Sequence, residues 1–190
     1  MLKQPFMVVG LPRSRTAWFS RFLSFGEQVC VHEPSLRWTK HEDLKRWLAR
    51  NEGGSDSMLT WLAHEARKAQ PDMPLVVIRR NRGDVLDSLK RLHYAKESYL
   101  PYYLMRLDQR LDEIEDELPC YSTNFSALAS PAVCGAIFKY CLGQRMPLVW
   151  WMRWKDENVQ ADIPETLKVL RENVEGIKSV YGEKHWKMQG

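Results

Sequence analysis

The 190 residues are enough for one domain around one core, and 44% hydrophobic with 27% charged residues describes a folded globular chain, not a disordered one. The 28 Lys and Arg against 24 Asp and Glu leave a net charge of +4, too small for indiscriminate coating of nucleic acid but suited to a local anion site. No apolar run nears the ~20 residues of a spanning helix, and Pro12, Arg13 and Arg15 cut short the only early apolar stretch; a cytoplasmic protein with no membrane or nucleic-acid partner is expected.

Residues 1–190 read as a single domain without repeats. Three runs have the β-branched, doubly apolar character of buried parallel strands: Phe6 to Val9, Gln28 to His32 and Pro74 to Ile78, with a weaker strand near Leu118 to Ser122. Helical spacing of apolar residues marks Thr16 to Phe25, Lys40 to Arg50, Asp56 to Ala69, a helix with Val85, Leu89 and Leu92, a long one from Leu104 to Leu118, and a last one over Pro164 to Tyr181. Gly53-Gly54-Ser55 reads as a flexible loop between helices. Strand-helix alternation makes this a three-layer α/β/α domain with a parallel sheet. The four cysteines (Cys30, Cys120, Cys134 and Cys141) lack zinc-type spacing, so reduced thiols and no metal are expected.

The first strand runs through Gly10-Leu11-Pro12-Arg13-Ser14-Arg15-Thr16-Ala17-Trp18 directly into a helix. Free amides of such a loop and of the helix start converge on an anion, and Arg13, Ser14 and Thr16 add a charge and two hydroxyls. It is not a Walker A loop: counting from Gly10, Arg15 takes the second glycine slot, Thr16 the lysine slot and Ala17, which has no oxygen for a metal, the Ser/Thr slot. After the third strand, Arg80-Asn81-Arg82-Gly83-Asp84-Val85-Leu86-Asp87-Ser88 again puts a cation at the carboxyl end of a strand, with Ser88 on the following helix and Asp84 complementing that helix's N-terminus.

Together these two segments resemble the signatures of sulfotransferases that use 3′-phosphoadenosine 5′-phosphosulfate (PAPS). Pro12 to Trp18 is similar to the family's first signature, with Arg15 in its glycine slot, and Arg80 to Ser88 fits the R-N-x-x-D-x-x-x-S pattern of the second. Phe125-Ser126-Ala127-Leu128 looks like the family's Y-E-D-L segment. A late G-x-x-G-x-W-K segment has only a faint echo at Gly182 to Lys187.

The resemblance implies a nucleotide-kinase-like P-loop fold and transfer of a sulfuryl group from PAPS, leaving adenosine 3′,5′-bisphosphate (PAP), to a hydroxyl or amine of a small molecule or glycan. The loop of Arg13, Ser14, Arg15, Thr16 and Ala17 would hold the 5′-phosphosulfate. Arg80 and Ser88 would hold the 3′-phosphate, and Trp18 and Phe125 would pack on the adenine. Trp18 can equally be a plain core aromatic. Arg13 would stabilise charge on the leaving oxygen. Glu33, just after the second strand, matches the position of the family's base; His32 is its rival because a free imidazole titrates near neutrality, and Glu33 can instead be a salt bridge or cap. Strand alternation should turn His32 and Glu33 to opposite faces, so that only one reaches the site.

If the loop requires a left-handed residue at position 15, an arginine there is strained and its side chain reshapes the pocket. Trp150, Trp151 and Trp154, interleaved with Arg153 and Lys155, can line an acceptor pocket or dock a partner, though a helix of core and rim is the commoner meaning. The acidic run from Asp112 to Glu117 is a solvated helix face. Two other functions fit the same architecture: a phosphotransferase of the nucleotide-kinase sort, and a catalytically silent nucleotide-binding module.

Overall fold

A computed structural model describes residues 4–38, 40–91 and 100–159. In chain order these form β1 (Phe6–Gly10), α1 (Thr16–Phe22), β2 (Cys30–His32), α2 (His41–Ala49), β3 (Gly53–Ser55), α3 (Ala63–Ala69), β4 (Leu75–Arg79), α4 (Arg82–Lys90), α5 (Leu100–Glu117), β5 (Tyr121–Asn124), α6 (Pro131–Leu142) and α7 (Leu148–Trp154). Short 3-10 turns at Pro34–Arg37, Met58–Leu62 and Phe125–Ala129 join them. The five strands make one parallel sheet in the order β2-β3-β1-β4-β5.

Alternation along the strands sorts the core into two layers. Met7, Val9, Leu75 and Val77 face one side, where Leu44, Trp47, Ala66, Val85, Leu107 and Leu111 bring α2 to α5 against the sheet. Phe6, Val8, Val76 and Ile78 face the other, covered by Trp18, Phe19 and Phe22 of α1 and Ile137 and Phe138 of α6. Helices on both faces explain why these strands read as continuous apolar runs. The indoles of Trp150, Trp151 and Trp154 pack on this second layer, and Trp150 Nε1 donates to the Phe22 carbonyl at 2.8 Å. They are the rim of the core, the commoner of the two meanings.

Gly53-Gly54-Ser55 is not a loop. It is a fully buried strand between β2 and β1, with Gly53 in register with Phe6 and Gly54 with Met7. The reason is space: a Cβ on Gly53 would stand 2.0 Å from Phe6 Cζ, and one on Gly54 would stand 2.8 Å from Trp47 Cζ2. Large rings from both layers lie across the backbone, so only glycine fits. Two smaller differences follow from local chemistry. The stretch from Asp56 starts as a 3-10 turn over Met58–Leu62 before α3, and the Asp56 carboxylate ties down its first residue, Oδ1 accepting from Met58 N at 2.7 Å. The weak fourth strand begins later, at Tyr121, because α5 runs to Glu117. The helix expected over 164–181 and the segment 182–187 lie outside the described residues.

Candidate functional site

The carboxyl ends of β1 and β4 form the site. These strands are neighbours (Gly10 beside Ile78), but the chain leaves β1 into α1 on one face and leaves β4 into α4 on the other. Oppositely directed connections open a crevice between adjacent strands, the usual ligand position in open α/β sheets. Gly10 permits the close approach: a Cβ there would sit 2.6 Å from the Ile78 carbonyl oxygen.

From Leu11 to Arg15 the chain turns tightly, Ser14 N donating to the Leu11 carbonyl at 3.2 Å. The turn requires left-handed backbone at Arg13 (φ 67°) and Arg15 (φ 65°). Such conformations cost a non-glycine residue on the order of 1 kcal/mol each. The expectation of strain at position 15 holds, and position 13 shares it.

The two sequence motifs meet in space. Arg13 Nε donates to Ser88 Oγ at 3.2 Å, and Arg80 Nη1 donates to the Arg13 carbonyl. The two segments expected to bind anions are therefore contiguous. Asn81 holds the start of α4, its side chain accepting from Gly83 N at 2.8 Å and Asp84 N at 3.4 Å. That cap sets the helical phase that delivers Ser88.

Phe125 closes the crevice from the turn after β5. The Arg80 guanidinium lies 4.1 Å and the Arg15 guanidinium 5.6 Å from its ring centre. Among the described residues no carboxylate stands within ion-pairing distance of either arginine. Burial, and then the like charges of Arg13, Arg91 and Arg15, lower the Arg80 pKa from its ordinary value, opposed by Asp84. Ser14 Oγ and Arg80 Nε are buried without a hydrogen-bond partner among the described residues. Concentrated positive charge with idle buried donors suits an oxyanion.

Trp18 is 1% exposed, stacked on Phe22 with ring centres 4.4 Å apart, and its indole donates to the Trp154 carbonyl at 2.7 Å. It belongs to the core, and Arg15 lies over its ring at 5.4 Å. Of the two expected aromatics, Phe125 is the partly exposed one at the crevice. Ala17 is also buried, as the second residue of α1.

His32 and Glu33 do not turn to opposite faces. β2 ends at His32, and Glu33 takes left-handed backbone (φ 48°), which breaks the alternation and returns its carboxylate to the same side. Glu33 Oε1 lies 3.8 Å from His32 Nε2, which in turn lies 3.4 Å from Thr16 Oγ1. Burial, and then Arg21, push the imidazole down to about 4, so His32 is neutral and weakly basic at pH 7. The argument that made it a rival base, a titration near neutrality, is lost on folding.

One residue behind the site went unread in the sequence. Asp56, 0% exposed, accepts from Ser35 N at 3.2 Å and from Ser35 Oγ, and the adjoining Ser55 carbonyl accepts from Glu33 N at 3.0 Å. These bonds fix the turn carrying Glu33. Burial raises the Asp56 pKa, against the hydrogen bonds from Ser35 and Met58 that hold it ionised. An aspartate directly after a strand and two residues before a helical turn was the available signal. Among the described residues no three His, Cys, Asp or Glu side chains gather as metal ligands, and no helix is long and apolar enough to cross a membrane. Compared with known proteins, the chain matches no protein-family model, no curated protein and no solved structure.

Proposed function

We propose that this protein is a PAPS-dependent sulfotransferase on a P-loop, nucleotide-kinase-like fold. The observation that carries the reading is the meeting of Arg13, Arg80, Ser88 and Phe125 in one crevice, with no carboxylate among the described residues in ion-pairing distance of Arg80. The order β2-β3-β1-β4-β5, with the loop of Arg13 after the central strand, supports it. The orphaned Ser14 Oγ and Arg80 Nε are the donors that a phosphate or sulfate group would satisfy.

When bound, PAPS supplies an activated sulfuryl group. Arg13 and Ser14 bind its anionic end, and Arg80 and Ser88 bind the 3′-phosphate. Glu33 removes the proton from the acceptor hydroxyl or amine as the new bond to sulfur forms, while Arg13 balances the charge left on the departing oxygen. Neutral His32, 3.8 Å from the carboxylate, leaves the role of base to Glu33. The acceptor is a small molecule or glycan.

Thermal shifts with PAP, with ATP and with ATP plus magnesium test the reading. PAP at 100 times its Kd should add about 2.7 kcal/mol of stability. A larger shift with ATP and magnesium would overturn it in favour of a nucleotide kinase. PAP binding with no transfer to a broad acceptor panel would leave a silent nucleotide-binding module.

A further inference from the structure

The loop after β1 carries an arginine where steric considerations favour glycine. We propose that Arg15 is a specificity-determining residue: its guanidinium, with that of Arg80, clamps a second anionic group of the ligand beside Phe125. This makes the pocket select adenosine bisphosphates over adenosine monophosphate. The inference rests on the donor-site reading above and moves Arg15, which the resemblance would set in the loop around the 5′-phosphosulfate, to the second anionic group; the sulfotransferase signature has glycine at this position.

Three observations lead to it. First, among the described residues the contacts of the Arg15 guanidinium are two cation–π contacts. The side chain does not cap α1, and its guanidinium makes neither hydrogen bond nor ion pair with a described residue, resting only against the faces of Trp18 and Phe125. Second, it sits among like charges. Arg15 and Arg80 both lie against the Phe125 ring, and the charge of Arg15 is among those that disfavour the charged form of Arg80. Third, its backbone is left-handed at φ 65°, a conformation glycine adopts freely. Two cation–π contacts are thus set against a left-handed backbone and a neighbouring like charge, with no ion pair among the described residues. The counter-charge comes from a ligand.

The chemistry of the ligand follows from the count of cations. A single phosphate is matched by Arg13 and the loop, which leaves the Arg15–Arg80 pair opposed only by the charge of Asp84, beyond ion-pairing distance. A ligand with a second phosphate compensates both guanidiniums in a partly desolvated crevice, where a charge-assisted hydrogen bond is roughly twice as strong as a neutral one.

The test is titration calorimetry of wild type, Arg15→Gly, Arg15→Asn and Arg80→Ala with PAP and with adenosine 5′-monophosphate, at low and high salt. Asparagine tolerates the left-handed position, so at least one charge-removing variant should keep the fold. Expected is a loss of about tenfold in the preference for PAP in Arg15→Gly and Arg15→Asn, with a weaker salt dependence of PAP binding and an unchanged or higher Tm. Arg15→Lys should keep the salt dependence and recover part of the preference. If the preference and salt dependence are unchanged while Arg80→Ala still weakens PAP, the role of Arg15 is refuted and the donor-site reading stands. If wild type does not bind PAP, the donor-site reading itself has failed.

Discussion

In β3, Gly53 and Gly54 run extended and fully buried, whereas in the loop from Leu11 to Arg15 and just past β2, Arg13, Arg15 and Glu33 hold left-handed backbone. Local preference would arrange these the other way, with glycine in the turns and larger residues in the strand. Each departure has its own cause. In β3 the Phe6 and Trp47 rings leave no room for a side chain, so packing selects glycine. At the crevice a side chain is needed in spite of the backbone, so chemistry selects arginine and glutamate. Of the four non-glycine residues with positive φ among the described residues, only Asn51, a type that tolerates the conformation, lies away from this edge.

The sharpest test of the strained side is Glu33→Gln. It keeps shape and hydrogen bonding but removes the base, so transfer should fall by about 10² to 10⁴ while PAP affinity changes less than about twofold. Full activity would show that Glu33 is a turn residue only. On the packed side, Gly53→Ala forces the Phe6 ring from its place and should cost about 3 kcal/mol, a drop in Tm on the order of 6–12 °C. A melting curve like that of wild type would mean that β3 can spread, and would remove the packing half of the contrast.

Arg13→Gly should behave in the opposite sense to Gly53→Ala. Stability holds or rises as the left-handed strain is relieved, and PAP affinity falls about 10- to 100-fold with the lost charge and the lost bond to Ser88. Loss of stability without loss of affinity would place Arg13 with the structural residues. A further effect, read through pH, concerns His32. Its folded pKa of about 4 lies below the ordinary 6.5, so the unfolded chain binds more protons between these values, and stability present above pH 6.5 declines as pH falls toward 4. His32→Gln should flatten that part of the urea-midpoint profile, and an unchanged acid slope would show that burial of the imidazole is not responsible.

Where one element decides its own conformation, the sequence was legible. β1, β4 and α5 follow from apolar runs and helical spacing, and the anion loop from a strand meeting a helix across Arg13, Ser14 and Thr16. α6 carries Pro131 at its start and Gly143 at its end, but Ala, Val, Cys, Ile and Phe spread its apolar character round the helix and blur the stripe. β3 has three small residues and no periodicity to read. The burial of Trp18 and the burial that lowers the His32 pKa depend on α7, α1 and neighbouring side chains, which no local pattern names.

The sequence by itself determined an α/β domain with a parallel sheet, and two cationic segments each following a strand, because hydrophobic period and turn chemistry are local properties of the chain. Only the tertiary structure decided that the two segments join through Arg13 and Ser88, that Glu33 and His32 share one side, and that glycines form the strand between β2 and β1. Those outcomes depend on strand order and on which rings cross which backbone. Both are settled by contacts between residues far apart in the chain, where the free energy of packing outweighs local preference.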